Sequence, residues 1–203
     1  MMMMSKERPI IFSAPMVRAI LDGRKTQTRR IVKPQPMLAD TVVYYNGPLG
    51  EWRWRNERID EDGALRCPYG GVGGVLWVRE SFHTSPHFGC LYRADYDDDA
   101  RPPKVVAPGG WKPSIHMPRS LSRIDMETTG IRVERLQEIS EADAQAEGAR
   151  CVDAVTGREV LFPIGSRIGS YRVHYRAIWE SIHGAGSWDA NPFVWVIEFK
   201  RIK

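Results

Sequence analysis

The sequence predicts an α+β fold: a small mixed β-barrel of about five or six strands, flanked by short helices and interrupted by long loop insertions. Two patterns carry this expectation. Strand-like runs dominate, and in the last of them Phe193, Trp195, Ile197 and Phe199 recur with period two while Glu198 and Lys200 face outward. Three stretches, near 34–74, 81–117 and 149–169, lose periodicity to turn-forming residues, and they read as insertions into one domain spanning residues 1–203.

Taken in order, Pro9–Ser13 is a short strand around Ile10, Ile11 and Phe12. A helix follows, which Pro15 can open in its first turn and Gly23 can close. The first insertion holds turn signals at Asn46-Gly47-Pro48 and Asp62-Gly63, hence one hairpin. Within it, Trp52-Arg53-Trp54-Arg55 places both indoles on one face of a strand, as in a half-buried hairpin, although interleaved aromatics and cations also suit base stacking. Gly70–Gly74 lacks the Lys-Ser/Thr of a phosphate-binding loop and reads as a turn into the buried strand Val75–Val78, whose end carries Arg79 and Glu80.

The second insertion contains the acidic residues Asp95, Asp97, Asp98 and Asp99 and several Pro and Gly turns. Ile124–Leu136 has strand character, with Ile131 and Val133 on one face. Ser140 and Asp143 form a capping box for a short helix that ends at Gly148. Val155–Val160 suggests a hairpin tip inside the third insertion. Tyr171, Tyr175, Ile178, Trp179 and Ile182 then fall at helical spacing in a helix closing at Gly184, and core packing accounts for its aromatics.

Composition sets bounds. The 203 residues are 42% hydrophobic, enough for a core; a net charge of +4 and a pI near 9.0 allow a nucleic-acid partner without demanding one. Three cysteines without regular spacing, and no segment resembling a secretory leader, suggest a reduced, cytoplasmic setting. No apolar run approaches membrane-spanning length. His83, His87 and Cys90, with Cys67 as a distant fourth, have spacings that zinc could use, but the set is incomplete and no metal or other cofactor is expected.

The most informative stretch is Gly23-Arg24-Lys25-Thr26-Gln27-Thr28-Arg29-Arg30. Four cations so close together repel one another, and a surface that meets an anion relieves the repulsion; a solvated basic loop is the plainer alternative. This octet and Ile139–Glu147 resemble the signature segments of the ASCH domain family, PUA-like barrels associated with RNA. Trp77-Val78-Arg79-Glu80, Trp188–Pro192 and Val196–Phe199 resemble its longer phage and prophage members.

The resemblance implies a PUA-like barrel and a nucleic-acid partner, RNA rather than DNA, or a modified nucleoside. In the family's compact enzymes, which remove the acyl group from N4-acetylcytidine, a lysine, a threonine three residues later and a glutamate are held responsible. The matching residues are Lys25, Thr28 and Glu147. Amide hydrolysis requires a nucleophile, a base and a proton donor for the leaving amine. Thr28 offers the hydroxyl. Lys25 can act as base only if neighbours or burial lower its proton affinity, a direction in which Arg24, Arg29 and Arg30 would push. A helix C-terminus at Glu147 would favour a proton-holding carboxyl. Arg24, Arg29, Arg30, Arg79, Glu80, Trp111 and Lys112 are the expected phosphate or base contacts. The competing readings are a metal-independent ribonuclease and a non-catalytic RNA- or DNA-binding module of phage origin.

Overall fold

A computed structural model describes residues 7–35, 41–46, 51–56, 61–96, 110–153 and 169–203. The architecture is α+β, with strands in open sheets and three α-helices among the described residues. The central sheet has five strands: β1 (Arg8–Ile11), β2 (Gln27–Ile31), β6 (Val75–Arg79), β9 (Asp125–Arg135) and β12 (Phe193–Arg201). Their order is β1-β6-β9-β12-β2, parallel only between β1 and β6. No strand pairing among the described residues joins the edges β1 and β2, so the sheet is open. The Arg30 guanidinium spans the gap, its Nη2 donating to the Ile11 carbonyl at 2.6 Å.

The sheet is covered on both faces, and β12 explains how. Residues opposite one another in antiparallel strands share a face. Trp195 and Ile197 lie opposite Arg30 and Thr28, and with Phe193 and Phe199 they join the core around Ile10, Phe12, Leu76, Val78 and Met126. Helix α1 (Ala14–Leu21) seals this face with Val17 and Ile20. Val194 and Val196, opposite Ile31 and Arg29, face the other way into a second core with α2 (Glu141–Ala146) and α3 (Tyr171–His183). The period-two reading of β12 therefore finds one of its two buried faces; the intervening valines fill the other.

The first insertion holds more strand than one hairpin. β3 (Thr41–Asn46), β4 (Glu51–Asn56) and β5 (Glu61–Leu65) form a three-stranded sheet, with Trp52 and Trp54 packed on the core. Asp62-Gly63, expected as a turn, lies inside β5 opposite Arg55 and Trp54. Gly63 is small there for a packing reason: a Cβ would sit 2.5 Å from the Trp54 Nε1.

The second insertion contains the hairpin β7 (Phe82–Ser85) and β8 (Gly89–Tyr92), followed by short 3₁₀ turns. Gly47 and Pro48, Asp97–Asp99 and Val155–Val160 lie outside the described residues. In the third insertion, β10 (Val152–Asp153) pairs with β11 (Gly169–Ser170) and leads into α3. The capping box is present, with the Ser140 hydroxyl accepting from the Asp143 amide at 3.0 Å. No helix among the described residues is long and apolar enough to cross a membrane.

Candidate functional site

The edge strand β2 and the turn before it hold most of the basic octet. Gly23 has φ +73°, and this left-handed turn ends α1. Arg24 and Lys25 then both donate their amides to the Ala19 carbonyl at 2.9 Å, which folds the chain back against the helix. Lys25 next forms a single antiparallel bridge with Glu147, the residue that caps α2. The Thr26 amide extends this contact by donating to the Ala146 carbonyl at 2.9 Å. Two helix ends distant in sequence are thus pinned together by backbone.

That pinning places the side chains. Lys25 Nζ donates to Glu147 Oε2 at 2.7 Å and to the Glu147 carbonyl at 2.8 Å, and both residues are 3% exposed. Glu147 Oε1 accepts from Arg29 Nη1 at 3.2 Å. The Arg29 guanidinium is itself fully enclosed; it pairs with Glu134 and, at 3.4 Å, with Asp143. Arg132 ties these acids together by reaching Glu134, Asp143 and Glu198. A buried ion pair needs such a network, because desolvation of each partner costs several kcal/mol.

Burial is the largest influence on Lys25 and pushes its pKa down, with Arg30 and Arg29 adding in the same direction and Glu147 opposing. Of the two causes the sequence allows, burial and neighbouring arginines, burial is the larger. Arg30 and Arg29, the arginines that share its cleft, add to the effect of enclosure.

Lys25, Thr28, Arg29, Arg30 and Glu147 line one cleft of about 340 Å³. It lies beside β2, between Phe12 and Met16 on one side and Tyr175, Ile178, Trp179, Ile182 and His183 of α3 on the other. Ser81 and Ser114 complete the lining. Thr28 is on the face of β2 opposite that of Arg29, and among the described residues its hydroxyl makes no hydrogen bond with Lys25 or Glu147. The Tyr175 phenol is held protonated, its pKa well above the ordinary value because of burial and the nearby Glu147 charge.

Helical spacing assigned Tyr175 and Trp179 to core packing, and both are indeed buried. The same side chains nonetheless wall the cleft. A sequence cannot separate the two roles, since one apolar helix face serves both. His183 had no signal at all.

The other expected contacts lie elsewhere. Arg24 is exposed, pairs with Asp22 at 2.9 Å and lines a neighbouring groove with Arg18, Arg150 and His174. Arg79 donates to the Met117 and Ile115 carbonyls and lies over Trp77. Glu80 is 2% exposed and holds Arg123 through two hydrogen bonds, at 2.8 and 3.0 Å. Trp111 packs on Tyr96, while Lys112 bonds the Thr84 hydroxyl at 3.0 Å and bridges to Phe82. Arg79, Glu80, Trp111 and Lys112 organise the second insertion, and neither they nor Arg24 line the cleft. His83 and Cys90 sit within the β7–β8 hairpin, and among the described residues no group of three or more His, Cys, Asp or Glu side chains is arranged to hold a metal ion.

Comparison of the chain with known protein families, with curated proteins and with solved structures gives no match.

Proposed function

We propose that the cleft beside β2 binds a nucleobase, in the manner of an ASCH domain, and hydrolyses the amide of an N4-acylated cytidine. The observation that carries this reading is the convergence of Lys25, Thr28 and Glu147 on one cleft, with Lys25 and Glu147 2.7 Å apart and almost wholly buried. Buried ionisable pairs at the base of a cleft are where tuned acid and base groups are found. On this reading the five-stranded sheet is an opened counterpart of the PUA-like barrel, with Arg30 spanning the gap between its edges.

In the proposed reaction the Thr28 oxygen attacks the acyl carbonyl and passes its proton to a neutral Lys25. The C–N bond breaks as Glu147 relays a proton to the exocyclic amine, and water then releases the acyl group from Thr28. The lowered proton affinity of Lys25 supports its role as base. Tyr175 and Trp179 supply an aromatic wall suited to a flat heterocycle.

One observation favours a second reading. Lys25 Nζ is engaged by two oxygens of Glu147, and Thr28 is not bonded to it, which describes a rigid recognition pocket as readily as an active one. A mass-spectrometric screen of acylated nucleosides and short oligonucleotides, with Lys25→Ala as control, separates the readings. Release of the acyl group that disappears in Lys25→Ala supports the hydrolase. Salt-sensitive binding with no chemical change supports the binding module, and Lys25-dependent strand cleavage without metal supports a ribonuclease.

A further inference from the structure

Among the described ionisable side chains that line the cleft, Arg30 and His183 are the two that are not buried, which puts them at its mouth. Arg30, from β2, and His183, the last residue of α3, both line it. The His183 ring stacks on Trp179, with centroids 4.1 Å apart and planes 35° apart, which sets the orientation of the imidazole. Arg30 is held as firmly. Its Nη2 donates to the Ile11 carbonyl at 2.6 Å, and its guanidinium lies over Phe12 and Tyr69 at 5.1 and 6.0 Å. Its Nε is buried and has no hydrogen-bond partner among the described residues, which leaves the Nη edge to face a ligand. A guanidinium anchored at one corner and stacked on aromatic rings is prearranged to receive an oxyanion.

We propose that Arg30 and His183 form a phosphate subsite, so that the cleft takes a nucleotide unit of a phosphodiester chain in preference to a free nucleoside. This rests on the nucleobase reading given above. A nucleotide joins a flat heterocycle to an anion through a sugar, and the cleft offers the same pairing: Tyr175 and Trp179 within, a cationic rim outside. The charges acting on His183 agree. Arg30 and Lys33 both lower its pKa, after burial as the main cause, so the imidazole sits in positive potential. The remaining ionisable groups of the cleft, Lys25, Arg29, Glu147 and Tyr175, lie in its lining with Arg30. An anion at the rim offsets the repulsion and favours the imidazolium, which becomes a second charged donor.

The test compares binding of N4-acetylcytidine with that of a dinucleoside phosphate containing it, between about pH 5 and pH 8, the range over which histidine titrates. The diester keeps one negative charge throughout, so any pH dependence of the affinity ratio belongs to the protein. We expect the diester to bind about tenfold more tightly at the acid end, an advantage that shrinks as pH rises. In His183→Gln the ratio loses its pH dependence, and in Arg30→Gln it falls towards one. Equal affinities in the wild type at every pH would overturn the subsite and leave the nucleobase reading standing. A ratio that His183→Gln does not alter would remove His183 from it. Binding of neither ligand would overturn both proposals.

Discussion

Lys25 and Glu147, 122 residues apart, are joined twice: Nζ donates to the carboxylate and to the main-chain carbonyl of the same residue. The side-chain contact is thereby tied to the backbone conformation at the end of α2. Because Glu147 also accepts from Arg29, the pair is asymmetric. Removal of Lys25 leaves the carboxylate with Arg29, whereas removal of Glu147 leaves Lys25 buried without its carboxylate while Arg29 keeps Glu134 and Asp143.

The first prediction follows from that asymmetry. Glu147→Leu should destabilise the fold by about 3–5 kcal/mol, the usual cost of breaking a buried pair, and Lys25→Met by less. The double variant should recover part of the loss. Urea denaturation of the three variants checks the order, and a larger loss in Lys25→Met than in Glu147→Leu would contradict it.

A second prediction concerns pH. The lowered pKa of Lys25 means that the unfolded chain binds more protons than the native one between the native value and the unperturbed value of about 10.4. The contribution of this group to stability therefore rises with pH across that window. A hydrolase using Lys25 as base should gain rate as pH rises to the native value and level off above it, short of the ordinary lysine range. Lys25→Arg, which keeps a charge that cannot be given up, should lose at least about a hundredfold in rate. Rate measurements across pH on both proteins test this.

Gly148 supplies a third. Its φ is +86°, and an added Cβ would lie 3.0 Å from the Cβ of Ala19 and 3.3 Å from that of Lys25. Gly148→Ala should cost at least about 1 kcal/mol from backbone strain alone. It should also displace Lys25, visible as lost ligand affinity under conditions where the variant remains folded.

Glu80 and Arg123 give a fourth. Burial raises the pKa of Glu80, and Arg123 opposes that rise. Arg123→Ala should cost about 3 kcal/mol near neutral pH. The loss should diminish in acid as Glu80 takes up a proton, since the neutral form tolerates burial better. Thermal melts at pH 5 and pH 7.5 measure the difference.

Much of the fold could be read directly. Gly23, Gly148 and Gly184 marked helix ends, Ser140 marked a helix start, and alternation in Ile124–Leu136 and Phe193–Phe199 marked the central strands. Asp62-Gly63 misled because a glycine that accommodates Trp54 carries the same letter as one that turns the chain. The octet was legible as a unit but not in its division: Lys25, Thr28, Arg29 and Arg30 reach the cleft, while Arg24, next to Lys25, points to another groove. Only the path of the chain after Gly23 decides that. The wall of Tyr175, Trp179 and His183 was hidden for another reason, namely that its role depends on what α3 packs beside.

Thr26 sits where three distant parts of the chain meet. Its amide donates to Ala146, and its carbonyl accepts from Phe199 on β12, each at 2.9 Å. The residue between the first two cations of the octet and Thr28 is thus stitched on one side to the middle of the sequence and on the other to its last strand. No local fragment contains the partners that build this cleft, and long-range pairings of this kind form late and together. Ligand binding at the cleft should therefore serve as a conformational assay for the whole sheet, lost as soon as β12 detaches.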